Sequence, residues 1–158
     1  MSGTMDLRVR VAGDIKDPVI LKGMDSLQTF IEKNEKITVS YSVANIVKQM
    51  HRTVMDDSVQ YESIPEEREK VNNLFTMYSM SGNPEDFSNL VDYEYTTALI
   101  TAFSSVMSTE EVFSFVKKIS EYFQDNSFSG VEVDVTGMIV VIRDMVIMVI
   151  RSSFLSIF

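Results

Sequence analysis

Chemistry at neutral pH most often starts from a histidine, and this chain of 158 residues has one, His51. It lies in HRTVMDD, one place beside the apolar positions Ile46, Val47, Met50 and Val54. Asp56 and Asp57 follow five and six residues later, whereas a helical His–carboxylate pair needs three or four. The spacing describes a histidine at the edge of an apolar face, not a base poised to activate water. Paired carboxylates are the other option, as in glycosidases. Glu66-Glu67-Glu69, Glu85-Asp86 and Glu110-Glu111 each fall where a helix is expected to begin, and acids there favour the helix dipole. Asp92 and Glu94 read as the solvated side of a helix.

The chain has no cysteine, which excludes thiolate catalysis, cysteine zinc sites and disulfides. One histidine with scattered carboxylates is not a transition-metal set, and Asp56-Asp57-Ser58 lacks the spacing of a calcium loop. No phosphate-cradling glycine loop or nucleophile elbow occurs. The expectation is a protein that is not an enzyme, with no catalytic residue, cofactor or metal.

Net charge is −9: residues 1–70 carry 10 basic against 12 acidic side chains, and residues 71–158 carry 4 against 11. Binding a phosphate backbone needs clustered Lys and Arg, so no direct nucleic acid binding is expected. The acidity suits solubility or a basic protein partner. The N-terminus has no secretory h-region, and a cytoplasmic protein is expected, in the host cytoplasm if the source is viral.

Features that suit binding are more numerous. The chain has 11 methionines, a residue that adapts to irregular surfaces. Tyr93, Tyr95, Phe115 and Tyr122 fall off or at the margin of the main apolar stripes and are candidates for a partner surface. Phe154, Leu155 and Phe158 at the tip join them, because an apolar terminus must pack somewhere. The tip, SSFLSIF, loosely resembles the peptides by which phage and bacterial replication or transcription factors engage a sliding clamp, without the acidic residue often present in them.

The elements that would position these residues follow from periodicity. Residues 6–12, DLRVRVA, alternate as a half-buried strand, Val19-Ile20-Leu21 suggests a second, and Ile37 to Tyr41 alternate again. Ser26 would cap a short helix carrying Leu27, Phe30 and Ile31. From Val43 the period becomes helical. Ser63-Ile64-Pro65-Glu66 reads as a capping box before a helix stopped at Gly82, and Asn83-Pro84-Glu85-Asp86 begins a long helix over 84–107 whose apolar stripe runs from Phe87 to Val106. Ser108-Thr109-Glu110-Glu111 is another capping box. Val131, Val133 and Val135 alternate with Glu132 and Asp134, so residues 131–135 match the first strand with Arg8 and Arg10 facing the acids.

Met138 to Phe158 reads MIVVIRDMVIMVIRSSFLSIF. Burying one large aliphatic side chain is worth roughly 1.5–3 kcal/mol, so such a segment is a core element, a subunit interface or a membrane-seeking tail. Arg143, Asp144 and Arg151 interrupt it and argue against a span, and Arg143 and Asp144, being adjacent, are expected to diverge. The expected architecture is mainly α: one domain over 1–158, with a strand-containing element at 1–42. A body of four or five helices fills 43–158, and the apolar helix 136–157 is its central or interfacial member. The expected function is a non-catalytic protein-binding module (adaptor, inhibitor or assembly chaperone, in the manner of a viral or phage accessory protein). The alternatives are a structural subunit of a larger viral assembly and a membrane-associated protein with an apolar tail. Self-association, a dimer first, is expected.

Overall fold

A computed structural model describes residues 4–81, 87–126 and 131–157. Among them the elements run β1 (Thr4–Ala12), α1 (Pro18–Glu32), β2 (Ile37–Tyr41), α2 (Val43–Val54), a 3-10 turn (Val59–Tyr61), α3 (Arg68–Ser81), β3 (Thr97–Ser105), α4 (Thr109–Asp125), β4 (Glu132–Thr136) and α5 (Met138–Ile157). The strands form one antiparallel sheet in the order β2-β3-β1-β4. β1 and β2 therefore run the same way with β3 between them, and β3 and β4 run the same way with β1 between them. Two β–α–β units are interleaved, a split arrangement. The fold is α+β, which corrects the expectation of a mainly helical domain with a small β element near its N-terminus.

Side-chain alternation decides which face of the sheet is dry. Met5, Leu7, Val9 and Val11 of β1 are buried opposite Ser104, Ala102, Ile100 and Ala98 of β3. Leu21, Met24, Leu27 and Ile31 of α1, Val43 and Val47 of α2, Val71 and Phe75 of α3, and Val112, Val116 and Ile119 of α4 join them in one core. The other face of the sheet carries Arg8, Arg10, Asp134, Val39 and Tyr41, all exposed, with the Tyr41 ring 6.1 Å from that of Phe103.

The strand β3 is the largest departure from the sequence reading. Phe87 to Val106 has helical spacing, yet Thr97–Ser105 is a central strand paired on both sides. Ala98, Leu99, Ile100, Ala102 and Phe103 form a nearly continuous apolar run, and such a run satisfies both periods. A turn braced by Asp92 precedes it. Asp92 Oδ1 accepts the N–H groups of Thr96 (2.7 Å) and Thr97 (2.9 Å), while Oδ2 accepts the Thr96 hydroxyl (2.6 Å). Gly82, the expected helix stop, and the expected start at Asn83 to Asp86 lie outside the described residues, as do Ser127 to Gly130.

Two further corrections concern helix starts. Val19-Ile20-Leu21 is not a strand: Asp17 accepts the Val19 N–H (2.9 Å), Pro18 fills the first turn, and α1 is under way before Ser26. Ser63 does not cap α3, which begins at Arg68. The box at Ser108 and Glu111 closes with both arms (2.8 and 3.2 Å). The two ends of the sequence do meet in the sheet. Arg10 lies opposite Asp134 with Nη1 3.1 Å from Oδ2, whereas Arg8 lies opposite Thr136 and pairs with Asp6 of its own strand at 3.1 Å.

Candidate interaction site

α5 is rooted where β4 ends. Gly137 has φ +104°, and a Cβ there would stand 2.7 Å from the Asp6 carbonyl oxygen and 3.1 Å from the backbone of Leu7 and Arg8. Only glycine permits both the angle and the approach. The Met138 N–H, an orphan donor of the first turn, is taken by Asp6 Oδ1 at 3.1 Å. Ile139 is fully buried, and Val140 and Ile142 pack partly against the core.

Beyond that root one side of the helix, with Ile142, Val146 and Ile147, stays half-buried, while the other side lies in water. Val141, Met145, Met148, Val149, Ile150 and Leu155 are all at least half exposed, Leu155 at 79%. This overturns the central placement of the apolar helix. The helix is not a rod around which the others pack. The expected divergence of its charges is also corrected: Arg143 donates from Nε (3.0 Å) and Nη2 (2.9 Å) to Asp144 Oδ1, so the two side chains neutralise one another. No helix among the described residues is long and apolar enough to cross a membrane.

The residues nominated from sequence are scattered. Tyr93, 99% exposed, tops the turn before β3, beyond the Ala12 end of β1, while α5 is rooted at the other end of that strand. Tyr95 packs against Phe75 at 4.9 Å, with Lys16 Nζ 4.6 Å from its ring centre, and burial followed by the nearby Tyr93 raises its phenol pKa. Phe115 is enclosed in the core, so it lines no surface. Tyr122 stacks on Phe30 at 4.5 Å, and burial raises its pKa too. Leu155 is exposed on α5, whereas the side chain of Phe154 and the whole of Phe158 lie outside the described residues. The residues that sequence reasoning missed are Asp6 and Gly137. The signal for them was a Thr-Gly step directly before an apolar run.

The groups that might have done chemistry are occupied. His51 Nδ1 donates to the Ser63 carbonyl at 2.9 Å, and its ring meets the Tyr61 ring edgewise at 5.6 Å. Asp57 and Glu62 are held by Arg52, at 3.2 Å each, beside an open depression of about 290 Å³ that Gln49, Met50 and Thr53 also line. Gln28, buried, donates to Ser40 Oγ (3.0 Å) and Asn45 Oδ1 (2.8 Å) and accepts from the Ser42 hydroxyl (2.7 Å). Ser40 in turn donates to Glu32. This network fastens α1 to β2 and α2, and its polar atoms answer one another. Among the described residues no group of three or more potential ligands could hold a metal ion.

Neither a protein-family model nor a curated protein matches this chain.

Proposed function

We propose that the chain is a non-catalytic interaction module in which α5 is the element that engages another body. The observation that carries this reading is the apolar surface α5 leaves in water beyond Ile139. Each large aliphatic group sequestered there is worth roughly 1.5–3 kcal/mol, so the helix gains by being covered. Covered by a partner protein or a second copy, it makes the domain an adaptor or an assembly subunit. Covered by lipid, it makes the domain a membrane-attached one. In each case the acidic α+β body stays in water.

The test is retention on a phenyl matrix and binding of an apolar fluorescent dye. The intact chain is expected to be retained and to bind dye. The variant carrying Met145→Asp, Val149→Asp and Ile150→Asp is expected to elute early and bind little, with an unchanged circular dichroism spectrum. An intact chain no more retained than the variant would show that α5 folds back on its own body, and the reading would fall.

A further inference from the structure

We infer that the outward side of α5 docks on a second copy of this chain, the two helices antiparallel with Asp144 of each beside Arg151 of the other. This rests on the reading of α5 as the contact element. One side of the helix, with Ile139, Ile142, Val146 and Ile147, is buried or half-buried. The other side carries Met138, Val141, Met145, Met148, Ser152 and Leu155, all exposed. At about 100° per residue the two sets are centred roughly 150° apart, so one helix faces both its own body and the outside.

The outward residues step along the chain by 3, 4, 3, 4 and 3 positions. That alternation is the repeat of a two-helix seam, in which each side chain enters a hole between four residues of the facing helix. With the roots at opposite ends, the seam closes on itself. Met145 of one copy meets Met148 of the other, Val141 meets Ser152, and Met138 meets Leu155. Ser152 thus faces an aliphatic group, and its hydroxyl can turn to the Met148 carbonyl one turn back. Opposed helix dipoles favour the same order.

The charges name the occupant. Asp144 and Arg151 are exposed, opposite in sign and one heptad apart on the same flank of the seam. In the antiparallel register each stands beside its opposite on the second copy, so a single helix sequence supplies both ion pairs. Parallel helices would set Asp144 beside Val149 and leave it unanswered. A carboxylate has two oxygens, so Asp144 can accept Arg143 of its own helix (2.9 Å at Oδ1) and Arg151 of the second copy together. A lipid surface makes no use of two opposite charges at this spacing, whereas a two-fold contact uses both at once. Two helices about 30 Å long give an interface at the small end of the stable range. The dimer is therefore expected to come apart on dilution, which opens the seam to the phenyl matrix.

The experiment follows the full chain by sedimentation velocity from about 1 to about 100 μM, where a monomer–dimer equilibrium is expected. Asp144→Arg should weaken association about tenfold or more, and Arg151→Asp equally, since each substitution puts like charges in both pairs. An equimolar mixture of the two variants should associate as the parent does, because their charges are complementary again. Recovery in the mixture also shows that each variant is folded. A dimer indifferent to the reversals, or one that the mixture fails to restore, overturns the antiparallel contact. A chain that stays monomeric yet is retained on phenyl, or floats with phosphatidylcholine vesicles, overturns the second copy and leaves α5 a contact element for another body. A chain neither associating nor retained overturns both readings.

Discussion

The Asp6 side chain accepts the Met138 backbone N–H at 3.1 Å, so the first strand caps the last helix. The same junction places Gly137 against the backbone of Asp6, Leu7 and Arg8. Gly137→Ala should cost about 1–3 kcal/mol, since a methyl group at a positive φ must displace backbone. Urea unfolding measures this. A variant as stable as the parent would mean that the approach of the two segments is looser than described.

Val141→Asp separates the two placements of α5. A core helix would not tolerate a carboxylate, whereas Val141 is 53% exposed. The variant should be soluble and folded, with stability within about 0.5 kcal/mol of the parent. Failure to fold, judged by circular dichroism and denaturant titration, would return the helix to the interior.

Ser104 holds a buried hydroxyl oxygen with no hydrogen-bond partner among the described residues, at a point where β3 faces Met5 and Ile37. An unanswered buried polar atom costs free energy, so Ser104→Ala should be neutral or stabilising by up to about 1 kcal/mol. A clear loss of stability in thermal melts would reveal a bond that this hydroxyl makes.

Acid should weaken the fold through two carboxylates. The bond from Arg68 holds the Asp14 carboxyl below its usual pKa. Burial pushes Asp92 up, but the bonds from Thr96 and Thr97 outweigh it and its pKa is also lowered. The unfolded chain therefore takes up protons first as pH falls. The stability from these groups is complete above the ordinary carboxylate pKa of about 4 and is lost as pH falls through the lower native values. Asp92→Asn should flatten the decline of melting temperature between neutral and acid pH, with Asp14→Asn acting less because its ion pair lies in water. Parallel pH profiles for parent and Asp92→Asn would contradict this.

What could be read from sequence was whatever local pattern alone determines. β1 and β4 alternate cleanly, Ser108 and Glu111 sit at the spacing of a reciprocal cap, and the Arg10–Asp134 pairing followed from charge. β3 was not legible, because pairing on both sides, a non-local fact, decides it against its helical spacing. The candidate site was half legible. The apolar character of 138–157 was plain, but its exposure depends on how much core the other elements fill without it, and α1 to α4 fill the sheet's inner face. Tyr95 and Phe115 looked peripheral by periodicity because neither the turn made by Asp92 nor the depth at which α4 lies is encoded in spacing.

Interleaving sets an order of events during synthesis. β1 is made first, yet Val9 has no neighbour until Ile100 emerges on one side and Val135 on the other. At about 5–20 residues per second the nascent strand waits on the order of ten seconds, with both edges open. Its alternate residues Arg8 and Arg10, charged and turned toward water, guard those edges against the wrong strand in that interval.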